Sequence, residues 1–147
     1  MSAADATPPC ELCTTPGGHV VWRGEGWRVI RAADELFPAF YRLILDRHVA
    51  ELSDLSPADQ ARCLALLVAV EQALRRQLQP TKIDLAAFGN MVPHLHWHVI
   101  ARFSWDSHFP QPVWGTAQRS VQPPAVQRLA CTLDQLDAAV AAALEAA

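Results

Sequence analysis

The sequence predicts an α+β domain built on a mainly antiparallel sheet of about five strands, with one long helix and a C-terminal helix. Short β-favouring segments come first, a long helical pattern follows them, and two further strand-like segments come after the helix. Strands grouped before a helix are typical of α+β domains, whereas regular strand–helix alternation indicates a parallel sheet. The 147 residues suffice for one domain, which we expect at residues 10–147, after a flexible leader at residues 1–9.

Turn signals separate the first three strands. Residues 16–18, Pro-Gly-Gly, predict a turn. Residues 19–23 and 26–31 then form two short β-favouring runs around Gly24-Glu25-Gly26, which together predict a hairpin. The apolar run at residues 41–45 predicts the third strand.

The long helix has a clear start in the sequence. Ser56 is a favoured N-cap, Pro57 suits the first turn, and Asp59 places a negative charge near the positive end of the helix dipole. Pro80 ends the helix. The residues at helical spacing, which we expect to cover the sheet, are Leu64, Leu67, Val68, Leu74 and Leu78.

The second half of the chain supplies two strands and the closing helix. Residues 82–88 and 93–103 are β-favouring, and the four prolines between residues 106 and 124 predict an irregular segment. The apolar residues that predict the closing helix are Leu133, Leu136, Val140 and Leu144.

Composition excludes several classes of function. Twelve basic and fifteen acidic residues give a net charge of −3, so we expect no binding to a nucleic acid polymer, which requires clustered Lys and Arg. A nucleotide ligand stays open, because backbone amides and a few side chains can hold one phosphate.

We find no signal peptide and no membrane span, and the longest apolar run, residues 63–70, is too short. We therefore expect a cytoplasmic protein with reduced cysteines.

Three histidines alternate within five residues, at His94, His96 and His98. On a strand, alternate side chains share a face, so these rings should lie together while Leu95 and Trp97 face the helix. Imidazoles are poor core residues because each ring nitrogen needs a polar partner. The row therefore predicts a metal site or a catalytic site, and the spacing alone does not decide between them.

The row His94-Leu95-His96-Trp97-His98-Val99-Ile100 resembles the histidine-triad (HIT) superfamily of nucleotidyl hydrolases and transferases at all seven motif positions. Gly89 and Asn90 before it, and Arg102 after it, are also similar to the family, and the resemblance runs from about Cys10 to Arg119. It implies a compact HIT-like α+β domain, usually a homodimer, that binds a nucleoside phosphate across the sheet.

The resemblance implies that His96 is the nucleophile and His98 assists the leaving group. A neutral imidazole attacks phosphorus near physiological pH without deprotonation. The product is a nucleotidyl-histidine that water hydrolyses, while His98 hydrogen-bonds the bridging oxygen and protonates the leaving group. Asn90 is expected to contact phosphate or ribose, although a turn residue after Gly89 is an equal alternative.

Cys10 and Cys13 form a Cys-x-x-Cys pair that, alone, is a weak signal for metal or redox chemistry. The resemblance to the zinc-containing bacterial branch of the family adds His48 and His94 as further ligands. A closed Cys₂His₂ set implies a structural Zn²⁺ that fixes His94 and attaches the N-terminus to the catalytic strand.

Two further residues are weaker candidates for substrate contacts. Asp34 could hold the ribose hydroxyls, and His108 lies just downstream of the row, where family members often contact substrate. The chain departs from the family at Met91, where many members have Ser, so one expected phosphate contact is missing.

We therefore expect a nucleotide phosphoanhydride or phosphoramidate hydrolase, similar to dinucleoside polyphosphate hydrolases, with the base stacked near Trp27 or Ile30. The alternatives are a nucleotidyltransferase and a non-catalytic nucleotide- or zinc-binding module.

Overall fold

The computed structural model describes residues 9–147, so of the predicted leader only Pro9 can be compared. The sheet has five strands, all paired antiparallel, in the order β1-β2-β3-β5-β4. The α+β class and the antiparallel sheet predicted from the sequence are thus confirmed. The strands are β1 (His19–Gly24), β2 (Trp27–Arg31), β3 (Phe40–Leu45), β4 (Lys82–Ala86) and β5 (His96–Arg102).

Within residues 9–147 three α-helices accompany the sheet, namely α1 (Glu11–Thr14), α2 (Pro57–Leu78) and α3 (Leu133–Glu145), and Leu52–Asp54 and Ala125–Arg128 form short 3-10 helices. The short α1 falls where we expected no regular element. The Ser56 side chain accepts a hydrogen bond from the Asp59 amide, as the N-cap pattern predicted. The first two strands form the expected hairpin, and Glu25 and Gly26 take the positive φ angles of its turn.

The main core lies between one face of the sheet and helices α2 and α3. Leu95, Trp97 and Val99 belong to this core, as the alternating pattern predicted. The prediction was wrong for Leu64 and Val68, which are exposed, because the buried face of α2 is rotated toward Cys63, Leu66 and Val70. No helix within residues 9–147 is long and apolar enough to cross a membrane.

The opposite face of the sheet carries the polar row. Arg42 lies directly between Ile30 and His98 in the register of the sheet, and His96 pairs with Ile44. Adjacent residues of paired strands point to the same face. The second and third histidines therefore share a surface with Arg42.

Candidate functional site

The position of the first histidine differs from the prediction. Strand β5 begins at His96, and His94 lies in the irregular segment before it. Pro93 precedes His94 and has no amide hydrogen for a sheet ladder, and the His94 amide instead bonds the carbonyl of Val92. The predicted strand of residues 93–103 was therefore too long at this end. His94 is consequently free to point away from the other two rings.

The His94 ring is fully buried and joins a cluster with Cys10, Cys13 and His48. Its Nδ1 atom lies 3.4 Å from each of the two Sγ atoms and 3.2 Å from Nδ1 of His48. All four ligand atoms lie within 4.8 Å of one another. Ligands of a tetrahedral zinc ion stand about 3.3–3.8 Å apart at ordinary bond lengths, so these donors fit a Zn²⁺ ion.

The opposite ring nitrogen of His94 supports the same conclusion. Nε2 lies 2.5 Å from the carbonyl oxygen of Leu45. A carbonyl only accepts, so Nε2 carries the proton and Nδ1 presents its lone pair to the cluster. This is the hydrogen-bond pattern that orients metal-binding histidines.

Arg28 holds the cysteine segment against the sheet. Its guanidinium donates to the carbonyls of Leu12, Thr15 and Pro16, and it pairs with Asp46 at 2.7 Å. The side chain is buried, so these bonds supply the partners that a buried cation requires. Arg28 was not predicted from the sequence, because nothing local distinguishes it from a surface arginine on a strand.

His96 is half-buried and has one defined hydrogen bond. Its Nδ1 atom lies 2.6 Å from the carbonyl oxygen of His94 and must be the donor. In the neutral ring Nε2 is then the nitrogen with the free lone pair, which is the one a nucleophile needs. A pocket of about 230 Å³ lies against this residue, lined among others by Phe88, Gly89, His94 and Trp97.

His98 is buried among aromatic rings and one cation. The Nε–H of Arg42 donates to its Nδ1 at 3.2 Å. Burial, together with the charge of Arg42 and the neighbouring His96, lowers the pKa of His98 to about 4. The ring is therefore neutral at physiological pH and carries its proton on Nε2. The rings of His96, Phe40, Phe88 and Trp114 lie around it, with centroids 5.1 to 6.3 Å away.

The irregular segment after β5 brings Trp114 to this site. Arg102 and Asp106 form a buried ion pair at 2.8 Å, and Asp106 accepts the backbone amides of Phe103, His108 and Phe109. Arg102 also donates to the carbonyl of Gln111. These bonds fix the loop that places the Trp114 ring 5.2 Å from His98. The sequence analysis treated this segment only as irregular, and its prolines gave no sign of where Trp114 would lie.

The weaker candidates have structural partners of their own. Asp34 accepts the amides of Leu36 and Phe37 through Oδ1, which stabilises a turn. His108 packs against Phe37 and contacts the hydroxyl of Ser107 at 2.7 Å.

Asn90, which was expected to contact substrate, is exposed in the segment between β4 and β5, and so is Met91, which stands where many family members have Ser. The expectation that a base stacks on Trp27 was wrong, because that ring is buried in the main core on the other face. Ile30 is also buried, against Leu12 and Ile44.

Comparisons with known proteins identify the family of this chain. The HIT domain model matches residues 17–105, and the comparison with curated proteins gave no match. A histidine triad protein from Bradyrhizobium japonicum is 28% identical, with a TM-score of 0.69 over 85% of this chain and 89% of that one. One from Sinorhizobium meliloti is 30% identical, with a TM-score of 0.63 over 72% and 80%.

A Zn-bound histidine triad family protein from Mycobacterium smegmatis shares the fold at 18% identity, with a TM-score of 0.59 over 94% of each chain. The family model covers more than half of the chain, including the whole histidine row and β1 to β5. The chain belongs to the HIT domain family.

Proposed function

We propose that the protein hydrolyses a nucleotide phosphoanhydride or phosphoramidate through a covalent nucleotidyl-His96 intermediate. The observation that carries this proposal is the orientation of the His96 ring, since the carbonyl of His94 accepts from Nδ1–H and makes Nε2 the lone-pair nitrogen of the neutral ring. An oriented, neutral imidazole beside a pocket is a competent nucleophile toward phosphorus.

The reaction has two steps. In the first, Nε2 of His96 bonds the α-phosphorus, and the bond from phosphorus to the leaving group breaks with its electron pair on that group; a phosphate leaves as the anion, and an amine also takes up a proton from solvent. In the second, water attacks the phosphorus, the P–N bond breaks, and one proton passes to solvent as the nucleoside monophosphate leaves. His98 donates a hydrogen bond from Nε2, and Asn90 is exposed beside the row, where it could contact phosphate.

A product analysis tests this function. We expect purified protein to convert a diadenosine polyphosphate or adenosine 5′-phosphoramidate to AMP, with oxygen from ¹⁸O-labelled water in the new phosphate. If turnover required an added acceptor and the acceptor received the nucleotidyl group in place of water, the protein would be a transferase. Tight binding with no turnover of either substrate would support the non-catalytic alternative.

We further propose that the Cys10–Cys13–His48–His94 cluster binds a structural Zn²⁺. The donor set and the spacing support this metal, and four protein ligands leave no open position for substrate or water. The ion would hold α1 and the loop of His48 to the segment that precedes β5. Its contribution would be to keep His94, and with it the carbonyl that orients His96, in place.

We also propose that the chain forms a homodimer through the exposed face of α2. Leu64 and Val68 lie four residues apart on this helix, and their side chains are 62% and 39% exposed. Replacing both with glutamate is expected to convert a dimer to a monomer in sedimentation experiments. The matched control is Leu36→Glu, an exposed leucine outside α2, which should stay dimeric. A wild-type monomer at micromolar concentration would contradict this proposal.

A further inference from the structure

Arg42 lies in the site, and the function proposed above gives it no role. It stands on β3 directly beside His98, and its Nε–H donates to Nδ1 of that ring. The guanidinium also lies 5.0 Å from the centre of the Phe40 ring. These contacts fix a cation against the third histidine.

Arg42 has no acidic partner among the described residues, unlike three other arginines of the sheet. Arg28, Arg31 and Arg102 each pair with an aspartate, whereas no ion pair within residues 9–147 includes Arg42. Burial lowers the pKa of Arg42, which nonetheless stays protonated because an arginine titrates far above neutrality. Its full charge therefore acts on the neighbouring imidazole.

The groups that face His98 all favour a neutral ring. Besides Arg42, they are the imidazole of His96 and the aromatic rings of Phe40, Phe88 and Trp114. No carboxylate contacts His98 within the described residues. An imidazolium would also turn an Nδ1–H toward the Nε–H of Arg42, so two donors would meet with no acceptor between them.

A neutral His98 can donate a hydrogen bond from Nε2 but cannot deliver a proton. A phosphate leaving group departs as a stable anion, so a hydrogen bond to the bridging oxygen is sufficient. An amine leaving group must gain a proton as the P–N bond of the substrate breaks, and general acid catalysis by a side chain contributes roughly 10²–10⁴-fold to such steps. The two substrate classes of the proposed function therefore make different demands on this ring.

Resting on that function, we propose that Arg42 sets the leaving-group class of the enzyme: by holding His98 as the neutral Nε2–H tautomer, it selects phosphoanhydrides over phosphoramidates. In the preferred reaction, Nε2 of His96 bonds the α-phosphorus, the P–O bond to the leaving phosphate breaks, and that phosphate keeps the electron pair. No proton is taken from His98. Arg42 acts through His98 and is a positioning residue.

The test compares two substrates that give the same adenylyl-His96 intermediate, a diadenosine polyphosphate and adenosine 5′-phosphoramidate. We expect the wild type to favour the anhydride in kcat/KM by about 100-fold or more. Arg42→Met removes the donor and the charge but keeps an apolar stem against Phe40, and it should reduce this ratio by about tenfold. Arg42→Lys, which keeps a charged donor, should retain most of the selectivity.

The matched control is Arg23→Gln, which removes the same charge from an exposed position on β1 and should leave the ratio unchanged. A readout that does not depend on any variant's folding is the long-range ¹H–¹⁵N NMR spectrum of wild-type His98. We expect the neutral Nε2–H tautomer throughout pH 5.5–8, because the lower limit of this range is about one and a half units above the pKa of about 4.

Comparable kcat/KM for both substrates in the wild type, or an imidazolium at His98 near pH 6, would overturn the role of Arg42 while leaving the nucleophile intact. An unchanged ratio in a folded Arg42→Met protein would do the same. Hydrolysis of neither substrate would instead overturn the proposed function, and this inference with it.

Discussion

Replacement of His96 by alanine is expected to lower kcat/KM by roughly 10⁴-fold or more, because it removes the atom that bonds phosphorus. His98 cannot take over this role, since Arg42 occupies its Nδ1 and its Nε2 carries the proton. The fold should survive, because the half-buried His96 ring makes one hydrogen bond, to a backbone carbonyl. Steady-state kinetics with a diadenosine polyphosphate and thermal unfolding by circular dichroism measure the two effects.

The matched control for this variant is His19→Ala. His19 is an exposed histidine of β1. Its Nε2 atom lies 3.4 Å from Oδ2 of Asp137, away from the row. Its removal should leave kcat/KM unchanged. Appreciable activity in a folded His96→Ala protein would mean that another group attacks phosphorus.

Loss of the metal ligand Cys13 is expected to give the largest change in stability. Cys13→Ser should abolish stoichiometric zinc binding and lower Tm by about 5–10 °C, if the ion stabilises the folded state by about 3 kcal/mol. The physical reason is that the ion joins residues far apart in sequence, Cys10 and Cys13 to His48 and His94. Metal analysis of the purified protein and calorimetry with and without a chelator provide the measurements.

Cys131→Ser is the control for the cysteine change, because this thiol lies just before α3 and outside the cluster. Because Cys131 packs against the main core, its replacement can shift Tm, but the variant should keep the zinc content and the same decrease in Tm on chelation. The structural role would be wrong if chelation left Tm unchanged in a protein shown to contain zinc. Zinc bound to His96 would contradict the nucleophile assignment, since a metallated nitrogen cannot attack phosphorus.

The parts of the fold that were predictable are those controlled by local chemistry. Alternation placed His96 and His98 on one face and Trp97 and Val99 on the other, because side chains of a strand alternate whatever surrounds it. The start of α2 was likewise readable from Ser56, whose hydroxyl accepts a nearby amide.

The errors occur where contacts distant in sequence override the local pattern. His94 fits the alternation by spacing, yet its ring turns into a cluster with two cysteines more than eighty residues earlier. Leu64 and Val68 matched helical spacing, but the helix buries the neighbouring stripe that contains Leu66, Val70 and Leu74. Periodicity shows that a helix has an apolar stripe, but it does not show which edge of a broad stripe faces the core.

The site itself was only partly predictable for a related reason. The motif named the three histidines, but Arg42 becomes relevant only through its register opposite His98. Trp114 reaches the same ring through a loop that Arg102 and Asp106 fix. Neither residue has a sequence neighbour that signals its role, so both required the sheet pairing and the loop to be known.

The central claim is that Nε2 of His96 forms a covalent bond to phosphorus. Rapid acid-free quenching during turnover of a diadenosine polyphosphate, followed by proteolysis and mass spectrometry, measures this directly. We expect an adenylyl group on the peptide containing residues 94–98, assigned to His96 by fragmentation and absent from His96→Ala. An adenylyl group on a different residue, or single-turnover hydrolysis with no protein-bound nucleotide at any time, would contradict it.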